Sequence, residues 1–275
     1  MSPARPPDPL ADRVSVLALA TGAYRTTFQH GSAIAVAMAF PLLVSQVSWY
    51  LCFFTIGGAY DGLIWLLITI LPECLFTVAI CRLVLLGTRT GQPRWLPAWQ
   101  RRHNRVLLLL LVLLPIWFPL LIADTYVEEI AGITLSDTEE WARFGLGVFA
   151  SYLYLRLALA LTATSVDEDF GLLHSWRASR GQGLRIFAAS IIAYVPLAIT
   201  ITACERFYEG WAGYEYAWPD GPEDPTFGWH LMLANVFDDG FRYLTLTLDL
   251  IILSSAFSHL TGWSLDRREI LERFE

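Results

Sequence analysis

The sequence predicts an all-α fold: a polytopic membrane helical bundle of six transmembrane helices with short interfacial helices. Three observations carry that reading. Apolar residues make up 55% of the chain and charged residues only 16%, with a mean hydropathy of +0.46; a soluble domain carries about 25% charged residues. Six apolar runs approach the roughly 20 residues a helix needs to cross a hydrocarbon core. The arginines are sorted onto alternate loops, as expected of a chain threaded through a bilayer.

The apolar runs cover about 34–56, 63–86, 105–123, 146–163, 186–203 and 241–260. The first two are joined by GGAYDG, a linker short enough to make them a helical hairpin. Pro41, Pro72, Pro115, Pro119 and Pro196 fall inside the runs, where a membrane helix tolerates proline at the cost of a kink. Ahead of the first run, Val14, Leu17, Thr21, Tyr24 and Phe28 recur at helical spacing. They predict a short helix lying on the cytoplasmic face. LDRREILERF near the C-terminus has a similar mixture of apolar and charged residues. Residues 1–275 therefore read as a single membrane-embedded domain: an arm and interfacial helix over 1–32, a six-helix bundle over 34–260 and a tail over 261–275. VSVLALA, between Arg13 and Thr21, is short for a signal-peptide core, so no cleaved leader is expected.

The chain has no lysine, so topology must be read from its 19 arginines. Fifteen of them lie in the N-terminal segment, the second-to-third loop, the fourth-to-fifth loop and the C-terminal segment, or at their borders. Arg143, Arg206 and Arg242 lie on the opposite side, near the ends of the apolar runs. The positive-inside rule then places both termini in the cytoplasm. The outer loops are acidic, and the longer one carries Trp211, Tyr214, Tyr216, Trp218 and Trp229. These rings suit headgroup-level anchoring or a surface for a periplasmic partner.

Three charges fall near the middles of apolar runs: Glu73, Arg156 and Asp249. An unpaired charge at that depth is costly, so such residues turn inward and find partners. The sequence predicts an Arg156–Asp249 contact, an Arg156–Glu73 contact or a triad. Structural glue, a proton or ion relay, and a headgroup or substrate contact are all open roles. Past Arg156, Phe170, Leu173 and Trp176 recur at helical spacing. Arg177, Arg180 and Arg185 follow, and with Trp176 they form a candidate cytoplasmic surface for anionic lipid or a partner. The acids of DEDF at 167–170 are expected to cap Arg180.

The stretch around these residues carries a resemblance. Tyr154, Arg156, Ser175, Trp176, Arg180 and Gly181 resemble the pattern of a superfamily of bacterial six-helix inner-membrane proteins. It includes the YciC-like proteins and the membrane domain found beside some glycerophosphodiester phosphodiesterases. The resemblance covers about 152–191 in residues, and the hydropathy layout more widely. Relatives carry a proline near the position of Thr162, which this chain lacks. The resemblance implies a membrane-embedded, non-catalytic unit and no phosphodiesterase activity.

Catalytic signatures are absent from the sequence: there is no H-E-x-x-H, Walker loop, dinucleotide fingerprint or G-x-S-x-G. Cys52, Cys74, Cys81 and Cys204 show no C-x-x-C spacing and read as small apolar fillers. The five histidines avoid the apolar middles, which argues against haem. No cofactor or metal is expected. The arginine-rich loop is already explained by topology, which argues against nucleic acid as a partner. The expected partners are membrane lipids and a larger membrane complex or a second copy of the chain. By subtraction, the sequence reads as a non-catalytic accessory or scaffold subunit. The alternative is a transporter or lipid-handling protein using Glu73, Arg156 and Asp249.

Overall fold

A computed structural model describes residues 14–51, 61–87, 99–116, 137–212 and 229–264. Among them are eight α-helices. They are α1 (Val16–Gln29), α2 (Gly31–Leu51), α3 (Asp61–Leu86), α4 (Arg101–Leu113), α5 (Asp137–Ser165), α6 (Leu172–Ala178), α7 (Gly183–Ala212) and α8 (Trp229–Thr261). The protein is an all-α, multi-pass membrane bundle. Five stretches are long and apolar enough to cross a bilayer: Gly31–Leu51, Leu67–Leu86, Trp141–Ser165, Gly183–Cys204 and Asn235–Thr261. The third apolar run of the sequence begins in α4, which passes into a 3-10 turn over Leu114–Ile116. Pro115 sits in that turn, where its missing N–H and fixed ring break the α-helical ladder. Pro119 and the rest of that run lie outside the described residues.

Helix α8 is the centre of the bundle and packs against α1, α2, α3, α5 and α7. Its middle is buried all round: Tyr243, Leu248, Leu250, Ile251, Ile252, Leu253, Ala256 and Phe257 have almost no exposure. A helix apolar on every side belongs in such a position. Helix α3 packs on it across the core, with Phe76 set edge-to-face on Tyr243 at 5.2 Å. Helix α7 is peripheral. It buries Ile186, Ala189 and Ala193, a stripe at helical spacing, and exposes Leu184, Ile191, Ile192, Tyr194, Val195 and Ile199. In a bilayer those exposed side chains face acyl chains.

The N-terminal helix departs from its expected place on the cytoplasmic face. Arg185 at the start of α7 donates to the Val14 carbonyl at 3.1 Å. Tyr24 donates its hydroxyl proton to the Ala193 carbonyl at 2.5 Å. Two anchors ten residues apart on α1 thus meet two anchors eight apart on α7, so α1 runs alongside α7 in the same direction. It also packs on α8. Ala20 and Ala23 form its buried contact face, and residues this small let the helices approach closely.

Candidate functional site

Arg156 does not meet Glu73 or Asp249. Nine further residues of α5 follow it before the helix ends at Ser165, so it lies about 14 Å from the C-terminal end of the helix. A long side chain can bring its head toward the interface from that depth, where α6 receives it. Nε donates to Ser179 Oγ at 3.0 Å, Nη2 to the Trp176 carbonyl at 2.9 Å and Nη1 to Tyr152 Oη at 3.3 Å. The guanidinium lies 3.5 Å from the centroid of the Trp176 ring, a close cation–π contact. Ser175 bonds back to the Arg156 and Leu157 carbonyls at 2.6 and 3.0 Å. Gly183 makes room, because a Cβ there would fall 2.8 Å from Arg156 Cδ. Residues 175–183 therefore latch the short α6 to α5.

The partner of Glu73 is Arg242, which sequence reading had set near a helix end. Helix α8 begins at Trp229, so Arg242 is thirteen residues into it. Its Nη2 forms the ion pair with Glu73 Oε1. Nη1 lies 3.5 Å from Asp239 Oδ1. Gln46 of α2 donates to the other Asp239 oxygen at 2.7 Å and accepts from the Asn235 amide at 3.2 Å. Helices α2, α3 and α8 are thus tied by one polar network. None of Gln46, Asn235 or Asp239 was singled out from the sequence.

Asp249 belongs to neither group. It accepts a hydrogen bond from Ser190 of α7. The two residues form the floor of a cavity of about 870 Å³ between α5, α7 and α8. Arg143, Gly147, Ser151 and Tyr154 line the α5 wall, and Phe187, Ile191 and Tyr194 the α7 wall. Phe144, Val148, Ile191 and Tyr194 of the lining are exposed on the outer face of the bundle, so the cavity is a groove open sideways. Its size falls within the range of small-molecule sites, about 300–1,000 Å³. The lining of α5 repeats at 143, 147, 151 and 154, and that of α7 at 187, 190, 191 and 194. These helical stripes mix polar, small and aromatic residues and were the available signal for the groove.

The expected cytoplasmic surface is partly committed to the fold. Trp176 is engaged by Arg156, and Arg185 holds Val14. Arg177 and Arg180 are exposed. Two of the three DEDF acids serve other partners than Arg180. Asp167, at φ 64° in the left-handed region, meets Arg102 at 2.7 Å and Arg82 at 3.9 Å. Glu168 accepts from the Trp263 indole at 2.9 Å. Of the expected aromatic partner surface, Trp211 and Trp229 fall at the ends of α7 and α8, while Tyr214, Tyr216 and Trp218 lie outside the described residues. Among the described residues no three His, Cys, Asp or Glu side chains converge as a metal site. No protein-family model, curated protein or solved structure matches the chain.

Proposed function

We propose that this protein is a non-catalytic lipid-handling protein of the bacterial inner membrane. In this reading it has six spans, both termini on the arginine-rich cytoplasmic side, and a membrane amphiphile held between α5 and α7. The observation that supports it is the lateral groove. A hydrated path from one face would favour transport and a solid core would favour a scaffold; a groove walled by Phe144, Val148, Ile191 and Tyr194 offers entry from the acyl layer instead. Arg143 lies in the first turns of α5, about 16 Å along the helix from Tyr154. The resemblance of Tyr154, Arg156, Ser175, Trp176, Arg180 and Gly181 to the YciC-like superfamily belongs to this reading. Of the three buried charges read from the sequence, only Asp249 has a place in the groove; Glu73 and Arg156 hold helices together.

Two experiments test this. The full chain, purified gently and weighed intact by native mass spectrometry, should carry a stoichiometric lipid that Gly147→Phe, which fills the α5 wall, removes without changing the melting temperature by more than a few degrees. A wild-type protein that arrives bare, or bound lipid indifferent to Gly147→Phe, refutes the reading. Reporter fusions at Gly58, Leu135 and Gly221 should report the periplasm, and fusions at Ala98 and Glu275 the cytoplasm; a cytoplasmic report at Gly221 breaks the topology.

A further inference from the structure

We infer that the groove between α5 and α7 selects a lipophilic monocation: a hydrophobic ammonium whose charge docks on Asp249 and whose apolar body lies along the aromatic walls. The inference rests on the groove accepting a membrane amphiphile, and it names the chemistry of that amphiphile. Asp249 is the one carboxylate among the lining residues. Its bond is to the neutral hydroxyl of Ser190, and among the described residues no arginine comes within ion-pair distance of it. The two nearby guanidiniums that a sequence would offer are engaged elsewhere. Arg156 is held by Ser179, Tyr152 and Trp176. Arg242, two turns before Asp249 on α8, pairs with Glu73 and Asp239.

A carboxylate that opens onto lipid without a countercharge is expensive. A ligand that brings a positive charge relieves that cost, and in a medium of low dielectric the attraction is far stronger than in water. A neutral amphiphile leaves the carboxylate as it was, and an anionic one is repelled. The rest of the lining favours the same choice. Phe144, Tyr154, Phe187 and Tyr194 bring four aromatic rings to one groove. Ring faces attract ammonium groups, most of all where water is excluded. Tyr154 also lies within electrostatic reach of Asp249, so carboxylate and phenol lie together on the floor. Arg143, the lone cation of the lining, stands about 16 Å along α5 from Tyr154. The Asp249 end of the groove is therefore the favoured place for an ammonium.

The test uses the full chain in phosphatidylcholine nanodiscs with three spin-labelled C12 chains, bearing a trimethylammonium, a hydroxyl or a sulfate head. Wild-type protein should immobilise the ammonium chain about tenfold more tightly than the alcohol, with the sulfate weakest. Asp249→Asn should bring the ammonium down to the level of the alcohol. Equal binding of ammonium and alcohol by wild-type protein overturns the inference and leaves a groove without charge selection. A preference that survives Asp249→Asn overturns the role of Asp249. If no chain is immobilised, the groove reading and this inference fall together. The wild-type comparison needs no variant, so a poorly folding Asp249→Asn cannot shelter the claim.

Discussion

Arg156 and Arg242 are both set in apolar helices, and the molecule holds them in opposite ways. Toward the C-terminal end of α5, Arg156 has no acid. Its charge is spread over a carbonyl, two hydroxyls and the face of Trp176, all within 27 positions of one another in the chain, from Tyr152 to Ser179. On α8, Arg242 meets Glu73 of α3 and joins a network that reaches α2 through Asp239 and Gln46. The first arrangement fastens a short helix to its neighbour. The second fastens α8 to α2 and α3, which lie far from it in sequence. A guanidinium served by neutral groups can be satisfied locally, whereas an ion pair between spans fixes how those spans are rotated against each other.

The largest effect should come from breaking the network on α8. Arg242→Leu leaves Glu73 and Asp239 without their cation. Removing one partner of a buried pair costs about 3–5 kcal/mol in soluble proteins. The lower end applies here, because Arg242 and Glu73 keep 31% and 21% side-chain exposure and polar contacts in membranes are worth less than expected. Thermal unfolding in detergent should show the loss, and Glu73→Gln added to Arg242→Leu should recover part of it. A double variant no better than the single one would remove the pair from its place in the comparison.

The latch of α6 on α5 should break by sterics. Gly183→Ala sets a Cβ against Arg156 Cδ at 2.8 Å, and overpacking of this kind costs about 1–3 kcal/mol. The guanidinium is flexible but already bound on three sides, so the displaced stem must pull it off Trp176. A drop in melting temperature together with altered Trp176 fluorescence is the expected pair of signs. Arg156→Lys should have a smaller effect, about 1 kcal/mol, since an ammonium keeps the charge but loses the planar fork and the stacking. If Lys restores full stability, the charge alone holds α6.

The different treatment of the two arginines explains what could be read in advance. The membrane bundle was legible because hydropathy reports lipid contact directly. Depth and pairing were less so. The run that contains Arg156 starts near position 146, while the helix itself starts at Asp137, and a residue's place in an apolar run says nothing of where its long stem can reach. The last span was placed at 241–260, which leaves Asn235, Asp238 and Asp239 ahead of it and Arg242 at its edge. They are in fact helical, with Asn235, Asp239 and Arg242 satisfied by Gln46 and Glu73. A hydropathy profile cannot tell a loop from a helix whose polar groups are answered by another helix. Likewise α1 has one buried face of small residues, and an amphipathic pattern of that kind suits a bilayer surface and the flank of α7 equally.

The smallest effect belongs to the start of α4, just ahead of its apolar run. His103 is 4% exposed, and its Nδ1 accepts the Gln100 N–H at 2.8 Å in the capping box of that helix. Burial pushes its pKa below the ordinary value of about 6.5, although the Gln100 contact opposes the shift; the charges of Arg102 and Arg82 lower it further. The folded protein therefore binds fewer protons here than the unfolded chain does. Stability from this group is fully present above about pH 6.5 and is lost as pH falls from there through the lowered folded value. His103→Gln carries no such proton, so its stability relative to wild type should rise as pH falls from 7 to 5. Melting temperatures of the two proteins compared across that interval check it. Parallel curves would mean that His103 takes up its proton in the folded state as readily as in the unfolded one, and that the capping box, unlike the ion network on α8, is indifferent to charge.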